Sequence, residues 1–267
     1  MKDGSGMRRI LLTGANGRMA AAMRPRLAEM FDEVVLYSRS DMTELRGNER
    51  LVRGDLMDAV RLDAAAKGAD AVVHLGGKAD ESTFEEISQA NIVGTYNVLE
   101  AARRASVRRF VYASSHHVTG FHPVESLVCE SSAVRPDSLY GVSKVFGEAL
   151  GRLYADKWGL EVVCIRIGVC RQQPENSDQL RTWLSVRDSI ALFEAALTAD
   201  IPDRYRVVYG VSDNSRTFWS DRSARELGFT PQDSADEFAA EFDGTAPFSS
   251  AHQGGRFTDP DYAGGTW

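Results

Sequence analysis

Short apolar runs alternate with helix-length amphipathic stretches along most of the chain. The runs at Arg9–Thr13, 34–37, 51–53, 71–75, 109–113, Glu161–Ile167 and 206–211 predict strands. The stretch leading to Met30, the stretch 84–104 and Leu139–Trp158 predict the main helices. Strands that alternate with helices in this way form a parallel sheet covered on both faces. The segment 245–267 is rich in Gly, Ser, Pro and Asp with scattered aromatic residues and shows no period. It is expected to be irregular, either packed on the body or on a partner subunit, or disordered.

Three local patterns carry chemistry. The first predicted strand runs directly into Gly14-Ala-Asn-Gly17-Arg-Met-Ala20 and then into a helix. Glycines permit the tight turn and a close backbone approach, while the helix start offers free N–H groups to a pyrophosphate, so a dinucleotide fits there. The strand over 109–113 is followed by Ser114 and Ser115, hydroxyls at a carboxyl end, where open α/β sheets hold ligands. Tyr140 and Lys144 are four positions apart on a predicted helix, which places a phenol and an ammonium on one face. A cation held near a phenol favours phenolate and makes a usable general base.

Thr13-Gly-Ala-Asn-Gly, His74-Leu-Gly-Gly77, Asn91-Ile-Val-Gly-Thr, Ala113-Ser-Ser115 and Tyr140-Gly-Val-Ser-Lys144 together resemble the extended short-chain dehydrogenase/reductase superfamily, over roughly residues 8 to 230. Within it, Arg135-Pro-Asp-Ser-Leu-Tyr-Gly-Val-Ser-Lys, Arg166-Ile-Gly, Thr182-Trp-Leu-Ser, Tyr209-Gly-Val-Ser-Asp-Asn214 and Gln253-Gly-Gly with Phe257 and Asp259 resemble most the uronate dehydrogenases and related enzymes that oxidise aldoses or sugar phosphates at C1. The resemblance implies a Rossmann-like, doubly wound parallel α/β sheet, with a small C-terminal substrate-binding portion mainly after residue 167. It implies Tyr140 as catalytic base, Lys144 on the nicotinamide ribose and lowering the Tyr140 pKa, and Ser115 orienting the substrate hydroxyl. It further implies cofactor contacts from Gly14, Asn16, Gly17, Arg18, Met19, Asp55, Leu56, Leu75, Gly76, Gly77, Asn91, Ser114 and Ile167. A homodimer or higher homo-oligomer through the helices that include Tyr140's is implied as well.

Departures from the resembling enzymes bear on cofactor and substrate. Ser38 stands where NAD-dependent members carry Asp, and Arg39 follows it. A hydroxyl and a guanidinium grip a 2′-phosphate, so NADP is favoured over NAD, with Asp41 as an alternative ribose contact. The position of the arginine that clamps the substrate carboxylate reads Asp178; two polar substrate contacts become Ala79 and Val169; His116 replaces Asn beside Ser115. Uronate specificity is therefore in question, and Lys78, Arg171 and Arg181 are the cations that could replace the clamp. His117 joins this substrate-side set.

With 267 residues and 43% hydrophobic content, residues 8–244 are expected to form one domain, preceded by a flexible leader over 1–7. A net charge of −7 with no dense Lys/Arg run argues against nucleic acid, and no stretch approaches the roughly 20 apolar residues of a membrane span. Cys129, Cys164 and Cys170 form no C-x-x-C pair and suit a reducing cytoplasm. His116, His117 and His122 lack an acidic or Cys partner at a ligand spacing, so no metal is expected. His74 reads as a structural histidine. Two alternatives remain: a nucleotide-sugar epimerase or dehydratase with bound NAD, which uses the same residue set, and a non-catalytic NAD(P) sensor on the same fold. The intact Ser115/Tyr140/Lys144 set speaks against the sensor.

Overall fold

Alternate residues of each central strand enter opposite cores, as a sheet buried on both faces requires. In the computed structural model, which describes residues 8–245 and 251–265, Ile10, Leu12, Leu36, Val73, Val111 and Ile165 share one core, while Leu11, Val35, Val72, Phe110 and Val162 share the other. The expected leader over 1–7 lies outside the described residues.

The sheet contains β1 (Arg9–Thr13), β2 (Glu33–Ser38), β3 (Glu49–Arg53), β4 (Ala71–His74), β5 (Arg109–Ser115), β6 (Glu161–Ile167) and β9 (Tyr205–Gly210). All pairings are parallel, in the order β3-β2-β1-β4-β5-β6-β9. A small parallel pair, β7 (Val169–Cys170) with β8 (Trp183–Leu184), stands apart from it. Residues of α1 (Arg18–Met30) and α7 (Val186–Thr198) fill the first core. Residues of α2 (Ala59–Ala66), α4 (Gly94–Arg104) and α5 (Leu139–Trp158) fill the second. Three short helices, α3 (Phe84–Ile87), α6 (Gln179–Thr182) and α8 (Arg222–Glu226), complete the set of α-helices among the described residues. No helix among the described residues is long and apolar enough to cross a membrane.

Two local features position the site. Ser138 caps α5, accepting from the Gly141 N–H at 3.0 Å, and Gly159 ends it in the left-handed region at φ 72°, so the helix bearing Tyr140 and Lys144 is bounded at both ends. The predicted helix over 84–104 is instead α3 and α4 joined by a π-helical turn at Ser88–Val93. A π turn inserts extra residues and re-aims side chains, and here it carries Asn91.

Candidate active site

The carboxyl ends of the strands open into a cleft of about 1030 Å³ running from the first turn to α5. Its floor is the Gly14–Gly17 turn. A Cβ on Gly14, at φ +68°, would come within 2.7 Å of the Gly76 backbone nitrogen, so only glycine lets the turn pack against the end of β4. Gly17 caps α1 with no side-chain bond, which leaves the first-turn N–H groups to face the cleft. Asn16, Arg18, Met19, Ser38, Arg39, Asp55, Leu56, Leu75, Gly76, Gly77 and Ile167 line it. Beneath the turn, the Thr13 hydroxyl lies 2.6 Å from His74 Nδ1, and His74 Nε2 lies 3.1 Å from Thr95 Oγ1. Burial drives the His74 pKa down to about 3, and Lys144 adds to the effect, so His74 is a neutral structural strut.

At the other end of the cleft, Ser115, Tyr140 and Lys144 converge. Ser115 ends β5, and α5 packs on β5, so the phenol meets the serine as a hydrogen-bonding neighbour. The Lys144 ammonium donates to the Ala113 carbonyl at 2.8 Å and stands 5.4 Å from the Tyr140 ring centre. The expected lowering of the Tyr140 pKa by Lys144 is not what the structure holds. Burial pushes the phenol up to about 12; the Ser115 hydrogen bond opposes this, and the Asp137 and Asp80 carboxylates reinforce it. Burial also lowers the Lys144 ammonium to about 8. In a buried site, desolvation outweighs the local pairing that the sequence spacing suggests.

Several predicted contacts sit elsewhere. Asn91 does not line the cleft: its Nδ2 donates to the Lys78 carbonyl at 3.1 Å and to Ser143 Oγ at 3.0 Å, and its Oδ1 accepts from the Lys78 N–H at 2.7 Å. The π turn has aimed it at the loop after β4, which it holds. Ser114 lines the cleft, but its hydroxyl donates to Glu148 at 2.6 Å, where Arg166 forms a bidentate pair at 2.9 Å. Sequence reading did not single out Glu148, whose buried carboxylate organises this network. Val169, Asp178 and Arg181 do not line the cleft either. Asp178 precedes α6 without a side-chain capping bond and faces Gly255, since a Cβ there would lie 3.8 Å from its Oδ2. Lys78, Ala79, His116, His117 and Arg171 do line it. His122 stands apart from the His116/His117 pair, with Nε2 on the Ala133 carbonyl at 2.7 Å.

The C-terminal segment supplies what the sequence could not place. Gln253 donates to the carbonyls of Pro123 and Ser126 and accepts from Trp219 Nε1 at 2.9 Å. Tyr262 donates to Asp80 at 2.6 Å, beside the cleft loop. Between these anchors Phe257 reaches the site, where a column of rings runs Tyr209, Trp219, His116, His117, Phe257. Segment 251–265 therefore packs on the body of its own chain, with a 3-10 turn at Gly255–Thr258.

Comparison with known proteins agrees with this geometry. Residues 10–170 match the NAD dependent epimerase/dehydratase family. The uronate dehydrogenase of Agrobacterium fabrum is 40% identical over 259 residues, covering 95% of this chain and 97% of that enzyme. The NAD-dependent glucose-6-phosphate dehydrogenase of Haloferax volcanii is 34% identical over 253 residues, covering 87% and 96%. A substituted form of uronate dehydrogenase from Agrobacterium tumefaciens, solved in complex with NAD, superposes with a TM-score of 0.90 at 40% identity, covering 95% of this chain and 98% of that one.

Proposed function

This chain belongs to the NAD dependent epimerase/dehydratase family, and on that premise we propose that it is a nicotinamide-dependent dehydrogenase that oxidises C1 of a cyclic aldose to a lactone. The observation that carries the reading is the convergence of Ser115, Tyr140 and Lys144 in the same cleft as the Gly14–Gly17 turn. The residues present suit a dinucleotide: the Gly14–Gly17 turn brings the start of α1 to the cleft, where its N–H groups suit a diphosphate, Ser38, Arg39 and Asp55 border the adenosine end, and Lys144 borders the nicotinamide end. A bound nicotinamide supplies the hydride acceptor. Tyr140 takes the proton of the C1 hydroxyl as that carbon gives up hydride, and the C1–O bond becomes the carbonyl. Ser115 hydrogen-bonds the same oxygen and favours phenolate through its contact with Tyr140. Lys144 adds positive charge to the site.

The 2′-phosphate of NADP is favoured over NAD on the strength of Ser38 and Arg39. Phe257, which reaches the site from the C-terminal segment, makes 8–244 and the described part of that segment one working unit. The exposed apolar residues Tyr96 on α4 and Val142 and Leu153 on α5 support a homodimer through these helices, to be checked by light scattering. Three free cysteines suit a reducing cytoplasm. The direct test of the chemistry is Tyr140→Phe. Turnover should fall by about 10²–10⁴-fold while cofactor binding persists; activity near that of the parent chain would remove Tyr140 from the mechanism.

A further inference from the structure

We infer that His116, in a ring wall completed by His117, presents a hydrogen-bond acceptor that selects an uncharged aldose over its uronate, an inference that rests on the dehydrogenase reading above. His116 Nδ1 lies 2.9 Å from the Ile167 carbonyl oxygen. A carbonyl only accepts, so Nδ1 carries the hydrogen and Nε2 of the neutral ring presents a lone pair. His117 Nδ1 lies 2.7 Å from Asp137 Oδ2, which fixes the orientation of the neighbouring ring.

The orientation is built into the backbone. A Cβ on Gly120 would come within 1.7 Å of Asp137 Oδ2 and one on Gly254 within 2.0 Å, so two glycines make the space through which this carboxylate reaches His117. Trp219 lies 5.0 Å from His116, His116 lies 4.0 Å from His117, and Phe257 lies 3.7 Å from His117, which sets the ring planes. The two histidines are 6% and 4% exposed, and both line the cleft beside Ser115 and Tyr140. Among the described residues neither Nε2 has a hydrogen-bond partner. Burial holds the His116 imidazole well below its ordinary value, with His117 adding to the effect, so it stays neutral.

The His116 lone pair in this desolvated wall requires a donor. A sugar hydroxyl provides one, whereas a carboxylate offers none and is repelled. The nearby cations do not reverse this balance: Lys78 faces Glu86 at 3.2 Å and Arg171 faces Glu175 at 3.1 Å. The substrate class is thus a neutral aldose with a hydroxyl that meets the His116 imidazole.

The test is calorimetric titration at pH 8 of the full Tyr140→Phe chain, saturated with oxidised cofactor, using the matched pairs D-galactose with D-galacturonate and D-glucose with D-glucuronate. At least one neutral sugar should bind about tenfold or more tightly than its uronate. Adding His116→Asn, or His116→Gln should the first variant not fold, should cut that ratio to about threefold or less. Equal or tighter uronate binding, no binding of any of the four, or a ratio unmoved by both His116 variants would overturn the wall. Turnover of the same sugars by the unsubstituted chain is read separately. Its absence would sink the dehydrogenase reading, while the binding ratio still decides the wall.

Discussion

Phe257 lies against His117 with 3.7 Å between ring centres and 25° between planes, and its ring centre stands 6.3 Å from that of Tyr140. The contact joins the irregular C-terminal segment to the element that follows β5. One face of the proposed substrate site is thereby made by a part of the chain that contributes nothing to the sheet.

Phe257→Ala should therefore act on the sugar and not on the dinucleotide. Aromatic pairs contribute about 0.5–1.5 kcal/mol beyond area burial, so kcat/KM for the sugar should fall roughly 3- to 10-fold. The KM for the cofactor should hold, because Gly14–Met19 and Ser38–Leu56 lie at the far end of the cleft. Steady-state kinetics with each substrate varied in turn checks this. An equal rise in both KM values would mean that the variant disturbs the whole cleft.

Lys144 should cost the fold stability. It is 6% exposed, its ammonium has the Ala113 carbonyl at 2.8 Å, and burial lowers its pKa to about 8, against roughly 10.4 in an unfolded chain. Below pH 8 both states hold the proton and the full penalty of the buried charge applies. Between about pH 8 and 10 the unfolded chain binds a proton that the folded chain has released, so stability gains a rising contribution with pH. Lys144→Met should raise the melting temperature at pH 7 by a few degrees while removing turnover, and the gap from the parent chain should narrow toward pH 10. A variant that melts below its parent at pH 7 would show that the ammonium is a net stabiliser.

The strands were legible because a sheet covered on both faces needs apolar runs, and each run from Arg9–Thr13 to Glu161–Ile167 is followed directly by Gly or Ser. The Gly14–Gly17 turn, Ser115 and the Tyr140/Lys144 spacing were legible for a related reason, since each is a short pattern beside a regular element. Quantities that depend on distant packing were not. Spacing on α5 predicts a lowered Tyr140 pKa, but the result is set by burial and by Asp137 and Asp80, which no local pattern ties to it. Asn91 stood in a recognisable motif, yet a π turn decides where its amide points. Segment 251–265 has no period to read, and its place is fixed by single anchors such as Gln253 on Trp219. The glycines at 254 and 255 were visible, but their purpose became clear only with Asp137 pressed against the first and a left-handed backbone, φ +56°, at the second.

Cofactor choice is open to a charge test at the end of β2. Ser38 is 7% exposed and accepts from the Ser40 N–H at 3.2 Å, so its oxygen is held at the edge of the cleft. Arg39 is extended, its side chain 81% exposed and 4.0 Å from Asp55, while Asp41 is taken up by Arg53 at 3.1 Å. An exposed guanidinium beside a neutral hydroxyl can close on a 2′-phosphate, and a charge-assisted hydrogen bond of this kind contributes about 1.5–3 kcal/mol. Arg39→Ala should thus lower kcat/KM for NADP by roughly tenfold or more and leave NAD within about twofold. Ser38→Asp should give the same fall for NADP by repulsion, and it should raise activity with NAD by supplying an acceptor for the ribose hydroxyls. The ratio of kcat/KM values for the two cofactors, measured with one sugar, reads both effects. If Arg39→Ala weakens NADP and NAD equally, the guanidinium serves the adenine or the diphosphate, and the preference for NADP loses its physical basis.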